Sequence, residues 1–162
     1  MATYIPGIQD YIPQDIFPAR VKDEDIVRMV ELMAESNFNM VRVWGGGYYP
    51  DEVFFDKCDE LGIMVWEDLM FACAMYPADA AFMSQVSQEI KQHIPRLASH
   101  ASVVYFNGNN EVDVAWKNWG FQLQYHLNDA AQKTIESAYQ AVFLDLLPKQ
   151  VQAYTNLPYI HT

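Results

Sequence analysis

The sequence predicts an α/β fold: a parallel sheet covered by helices, arranged as part of a (β/α)8 TIM barrel, with about its first four βα units. Three observations carry this. Short, nearly continuous apolar runs alternate with longer segments of helical period, the pattern of parallel strands buried on both faces. No Gly-x-Gly-x-x-Gly turn or phosphate loop follows any of those runs, which weakens the nucleotide-binding form of the competing doubly wound sheet. Polar and aromatic residues gather instead where the runs end, at Arg42 and Trp44, Glu67 and Asp68, and Asn110 and Glu111, and a barrel carries its site at that rim. A whole barrel takes around 250 residues, so a chain of 162 reads as half of one.

The elements follow in order. Asp23, Glu24 and Asp25 supply cap and first-turn acids, and Ile26, Val30 and Met33 then fall on one helical stripe that fades near Ser36–Asn37. Met40–Trp44 is a strand ended by three glycines, Gly45 to Gly47. Asp51–Leu61 is helical, with Phe54, Cys58 and Leu61 on one face and Gly62 where a terminating glycine belongs. Ile63–Trp66 is the next strand, closing on Glu67–Asp68. Phe82, Val86, Ile90 and Ile94 form a third helical stripe whose end Pro95 is expected to kink. Ser102–Phe106 is a strand running into Asn107–Glu111. A last helix is expected over Lys133–Leu147 after a long aromatic insertion, then a strand at Tyr159–His161.

Composition narrows the function. Half of the chain, 51%, is apolar and 14% aromatic, enough to bury a core and to exclude disorder as the main state. With 10 basic against 21 acidic residues the net charge is −11, and such a surface repels phosphate backbones, so no nucleic-acid partner is expected. No apolar run approaches the roughly 20 residues of a membrane span. The first six residues lack the basic and apolar regions of a signal peptide, which leaves the compartment open. The two cysteines, Cys58 and Cys73, are too few to staple the fold and read as reduced thiols.

Glu111 is the strongest single candidate for chemistry. It directly follows an apolar strand behind Asn109 and Asn110, which puts a carboxyl at the rim among amide donors and acceptors. A general acid works from such a place, partly desolvated so that its pKa rises toward working pH. The alternative is that Asn109–Asn110 makes a turn and Glu111 caps the next segment. Of Glu67 and Asp68, strand alternation points one inward and leaves the other as a solvated loop acid. Trp44, Trp66, Trp116 and Trp119, with Tyr48 and Tyr49, lie at or just past strand ends, where aromatic planes suit the C–H faces of sugars. Trp66 reads as core, whereas Trp44 has space beside its glycines. His93, His100, His126 and His161 show no His-x-x-x-His spacing, so no metal site is expected. Cys73 carries no nucleophile signature and reads as a packed thiol.

In five stretches the chain resembles the catalytic barrel of glycoside hydrolase family 2, of the β-mannosidase type. They are Tyr11–Asp15, Arg42–Gly47, Cys58–Ile63, Asp68–Cys73 and Gly108–Glu111, in the family's order and over nearly the whole chain. The β-galactosidase and β-glucuronidase branches would have a Ser/Cys-His-Tyr/Asn-Pro loop after Arg42. Trp44 and the triple glycine favour the mannosidase branch. Gly7–Asp10 departs from the family's approach to its first strand.

The resemblance implies Glu111 as general acid/base and Asn110 as the contact to the sugar 2-hydroxyl, which strengthens in the transition state. Trp44 and Trp119 would wall the sugar, with Arg42 and Asp68 as polar supports. The implied reaction releases β-D-mannose from the non-reducing ends of mannose-containing oligosaccharides or glycoconjugates, with no cofactor. The family retains anomeric configuration, which requires a second carboxylate as nucleophile about 5–5.5 Å from the acid. In the family that nucleophile belongs to a later strand, and β-sandwich domains precede the barrel. Residues 1–162 are therefore expected to form the N-terminal half of the barrel and to be inactive alone. The alternatives are a non-catalytic carbohydrate-binding piece, or one that self-associates through its open sheet edges.

Overall fold

The computed structural model describes residues 8–11 and 18–161. The readings at Met1–Pro6 and Ile12–Asp15 lie outside them. Five parallel strands form one sheet in chain order: β1 Ile8–Tyr11, β2 Met40–Val43, β3 Met64–Asp68, β4 Val103–Asn107 and β5 Tyr159–Ile160. Val43 pairs with Glu67, and Asp68 with Asn107, so the C-terminal ends of β2, β3 and β4 lie abreast. A doubly wound sheet reverses its strand order at a switch point. No reversal occurs among these five strands.

Alternation sorts the strand side chains. Val41, Val43, Val65 and Phe106 enter a core shared with α1 (Asp23–Glu35), α2 (Glu52–Leu61) and α3 (Ala80–Leu97). Arg42, Trp66 and Tyr105, on the other face, stay partly exposed. The helices form where the apolar periodicity places them. Ile26, Val30 and Met33 are the buried stripe of α1, and Phe54, Phe55 and Cys58 that of α2, which ends at Gly62 with φ 70°. Asp79 caps α3 by accepting from the N–H groups of Ala81 and Phe82 at 3.0 and 3.1 Å.

Beyond shifts of one residue at strand ends, three boundaries differ from expectation. The strand expected over Ile63–Trp66 runs on through Glu67 and Asp68, because pairing with Phe106 and Asn107 holds it extended. Helix α3 passes through Pro95 to Leu97. A proline so near the end removes a single backbone donor, and the Ala98 N–H still bonds the Ile94 carbonyl at 2.8 Å. The aromatic insertion is itself helical: α4 Val112–Asn118 and α5 Phe121–Gln124 precede α6 Asp129–Tyr139, a π-helical stretch Gln140–Leu146 and α7 Leu147–Gln152. The last helix thus starts earlier than Lys133, where Asn128 caps it by accepting from the Ala131 N–H at 2.9 Å. Among the described residues no helix is long and apolar enough to cross a membrane. Cys58 and Cys73 are free thiols, and burial, then the Asp59 charge, push Cys58 up to about 12.

A buried histidine ties α2 to the turn between α3 and β4. His100 Nδ1 lies 2.9 Å from Asp59 and Nε2 lies 2.9 Å from Glu52, while the Ser102 N–H donates to Asp59 at 2.6 Å. With a carboxylate at each ring nitrogen, the imidazolium is the form that satisfies both. Asp56 brings a third acid to the cluster: one carboxylate oxygen each of Asp56 and Asp59 and one ring nitrogen of His100 lie within 4.8 Å of one another. Burial alone would lower the His100 pKa, but the bonds with Asp59 and Glu52 raise it overall. A raised folded pKa gives stability that is complete below the unfolded value, about 6.5, and lost as pH rises through the folded value. Glu52 is lowered, chiefly by its bond from Arg96. Asp59 is lowered too, because bonds from Ser102 and His100 outweigh burial. Their contribution is therefore lost in acid. The melting temperature is expected to peak at mildly acidic pH and to fall toward pH 9. His100→Gln should flatten that alkaline limb; an unchanged limb would count against the clamp.

Candidate active site

The site is built around one carboxylate. Asp68, at the end of β3, is wholly buried and accepts from donors on four segments. Arg42 of β2 donates from Nε at 3.3 Å and Nη2 at 2.7 Å, Trp66 from Nε1 at 2.8 Å, Asn107 of β4 from Nδ2 at 2.8 Å and the Gly45 N–H at 3.2 Å. A buried charge is tolerable only when paired and hydrogen-bonded in this way. A Cβ on Gly45 would lie 2.7 Å from the Leu69 carbonyl and 2.8 Å from that of Phe71, so only glycine lets the turn after β2 approach this closely. Arg42 is held twice more: its guanidinium lies over the Trp66 ring at 4.7 Å, and Nη2 donates to Asn110 Oδ1 at 2.7 Å.

The loops after β3 and β4 then zip together. Leu69 N–H bonds the Asn107 carbonyl at 2.8 Å, Asn110 N–H that of Phe71 at 2.8 Å, and Cys73 N–H that of Asn110 at 2.9 Å. Asn110 is thereby clamped, its oxygen on Arg42 and its nitrogen donating to Cys73 Sγ at 3.3 Å. Glu111 follows with φ 56°, and Cys73 has φ 53°. Left-handed conformations of this kind cost about 1–3 kcal/mol each in residues other than glycine and collect at functional sites. The two strained residues face each other, with Cys73 Sγ 3.7 Å from Glu111 Oε2.

Neither expectation for Glu111 holds in full. It is exposed rather than partly desolvated, and its carboxyl meets the Cys73 thiol. It occupies the position before α4, but its side chain does not cap that helix. Asn109 does, accepting from the Val112 N–H at 3.0 Å. Trp44 is partly buried, and Gly46 makes room for it, since a Cβ there would run into the indole. Trp119 ends α4, with 45% of its surface exposed. Trp116 is buried and donates to Glu136 at 3.3 Å. The structure thus joins Arg42, Asp68, Asn110 and Glu111 at three strand ends. Trp44 adjoins through the glycine turn, and Trp119 stands a helix away. Fixed donors, an exposed carboxyl and aromatic planes together suit a hydroxyl-rich ligand and a proton transfer.

No protein-family model matches the chain. Individual proteins do. It is 38% identical to mouse (Mus musculus) β-mannosidase over 143 residues, 88% of this chain and 16% of that one. It is 42% identical to β-mannosidase B of Thermothelomyces thermophilus over 124 residues, 76% of this chain and 14% of that one. The crystal structure of β-D-mannosidase from Dictyoglomus thermophilum superposes with a TM-score of 0.79 at 34% identity, covering 97% of this chain and 18% of that one. The chain is a β-mannosidase-type segment of glycoside hydrolase family 2. A Bacteroides uniformis β-glucuronidase shares the fold, with a TM-score of 0.79 at 21% identity over 98% of this chain and 18% of that one. The segment spans 12 to 18% of the length of the β-mannosidases it matches.

Several residues of this β-mannosidase-type segment escaped the sequence reading. Trp66 is not core: it lies on the open face, two residues before Asp68 and bonded to it, and same-face spacing in a strand was the available signal. Tyr105 packs beside it at 5.2 Å, and burial, then the Asp68 charge, push its hydroxyl up to about 12. Cys73 is a half-exposed neighbour of Glu111 rather than a packed thiol. Glu67 is not a solvated acid. It is wholly buried on the helix side, and neither carboxyl oxygen has a hydrogen-bond partner among the described residues. Burial, then the adjoining Asp68 charge, push it well above the carboxylate range, which favours the neutral acid.

Proposed function

We propose that this segment supplies the acid/base half of a retaining β-mannosidase site, carried on the N-terminal half of a (β/α)8 barrel. The observation that carries the reading is the clamped Asn110–Glu111 pair, fixed through Arg42 to the Asp68 hub. In this role Glu111 protonates the departing glycosidic oxygen and later takes a proton from the attacking water. Its exposure leaves it open to a substrate. Asn110 offers its amide to the sugar 2-hydroxyl, while Trp44 and Trp119 supply aromatic faces. Asp68 is not the nucleophile, because five donor contacts already occupy both oxygens. The nucleophile comes from a later strand of the same polypeptide.

Sequential strand order supports the barrel, as do helices against one face and half-open polar side chains on the other. The outer edges of β1 and β5 are where its remaining strands would add, or where copies would self-associate if the segment stood alone. Trp44 in place of the histidine loop favours mannosides over the galactoside and glucuronide alternatives.

The parent protein is expected to hydrolyse an aryl β-mannoside in preference to the matching β-galactoside and β-glucuronide. Residues 1–162 alone are expected to hydrolyse none of them, since loss of one member of a catalytic unit removes most of its effect. Preference for another glycoside would overturn the substrate. Turnover by the segment alone, abolished in Glu111→Gln, would place the nucleophile within it. Mannoside binding without turnover in the parent would favour the non-catalytic alternative.

A further inference from the structure

Helix α3 turns a row of amides toward the loop that follows β2. Gln85, Gln88 and Gln92 recur on one exposed stripe and, with Tyr48, Tyr49 and His93, line a cleft of about 430 Å³. Ligand clefts run from about 300 to 1,000 Å³. We propose that this cleft is a second, non-catalytic carbohydrate site that takes an uncharged oligosaccharide.

The chemistry of the lining selects that ligand class. Each glutamine amide offers both a donor and an acceptor, which is what a sugar hydroxyl needs. Among the described residues the side-chain amides of Gln85 and Gln92 have no hydrogen-bond partner, and Gln88 has only a long contact of 3.5 Å to Ser84. The amide row is therefore available. Tyr48 lines the cleft beside the amides. The His93 ring stacks on Tyr49 at 4.2 Å and 25°, and its Nδ1 is buried without a partner among the described residues. Burial, then the Arg96 charge, hold His93 below its usual pKa, which favours the uncharged ring.

Charge excludes the obvious competitors. No lysine or arginine lines the cleft, so phosphate, sulfate and carboxylate ligands meet no cation. Its one acid, Glu89, already accepts from the Tyr49 hydroxyl at 2.9 Å. The cleft also adjoins the candidate active site. Met70, in its wall, follows Asp68 by two residues, a Cα separation of at most about 7 Å. Gly47 follows Trp44 by three. The choice of a mannoside as probe rests on the β-mannosidase reading; the cleft's preference for a neutral glycan does not.

The test is calorimetric titration of the parent protein, carrying Glu111→Gln to prevent hydrolysis, with β-1,4-linked mannotriose. Two equivalents are expected to bind. Gln88→Ala with Gln92→Ala, on an exposed face where alanine keeps the helix, should weaken one of them by about two- to tenfold per amide removed and leave the other unchanged. The same pair of changes, with Glu111 intact, should leave hydrolysis of a simple aryl β-mannoside as it was. A negatively charged uronic-acid trisaccharide should give no heat at the cleft. If the active-site reading fails, the equivalent sensitive to Gln88 and Gln92 persists alone. A single equivalent indifferent to those residues overturns the proposal. So does protection of the α3 face from solvent by another part of the polypeptide.

Discussion

Glu111→Gln in the parent protein should lower turnover of a β-mannoside with a basic leaving group by about 10²–10⁴-fold, the usual contribution of a positioned general acid. An activated aryl mannoside should lose much less in the step that forms the glycosyl-enzyme, because its departing oxygen needs little protonation. Geometry makes the comparison clean. Gln keeps the size of the side chain and shares the backbone strain at φ 56°, so the change is confined to the proton. Glu111→Gly supplies a second readout. Glycine adopts that left-handed conformation without penalty, and relief of strain should offset the entropy it adds to the unfolded chain. The glycine variant should therefore be as stable as the parent, or more so, while losing the same activity. Equal losses on both substrates, or a glycine variant that melts early, would make Glu111 a structural residue.

Much of this arrangement was legible in the residues because it is local. Helical stripes such as Ile26–Val30–Met33 and the apolar runs before Glu67 and Asn107 record which face is buried, and burial fixed α1 to α3 and β2 to β4. The clamp on Asn110 was not legible. It depends on the β3 and β4 loops pairing, so that Cys73 meets Asn110 and Glu111 across more than thirty positions of sequence, and no spacing rule records a contact between two loops. The fate of Glu67 was hidden for the same reason. Whether an acid after a strand is solvated depends on how far the neighbouring strand continues beside it, and β4 continues to Asn107. Periodicity also failed after Asn110. There short helices and a π-helical stretch follow the packing of Val142, Phe143 and Leu147 rather than one regular stripe.

The two adjoining acids of β3 should respond in opposite ways to loss of charge, although both are wholly buried. Asp68→Ala removes the acceptor shared by Arg42, Trp66, Asn107 and the Gly45 N–H. Removing one side of a buried ion pair costs about 3–5 kcal/mol, and only 16% of the Arg42 side chain reaches solvent. Asp68→Asn should be nearly as harmful. Both carboxylate oxygens accept from at least two donors, so whichever one becomes an NH₂ group meets donors head-on. Arg42→Met added to Asp68→Ala should recover part of the loss, because the guanidinium no longer faces the donors that Asp68 had satisfied. Glu67→Gln exchanges one neutral group for another of the same shape and should change stability by less than about 1 kcal/mol. Urea unfolding of these four variants at neutral pH reads all of these energies. Asp68→Asn within about 1 kcal/mol of the parent protein would mean that Asp68 carries no essential charge. A loss at Glu67→Gln as large as at Asp68→Asn would mean that Glu67 is ionised, with a cation against it.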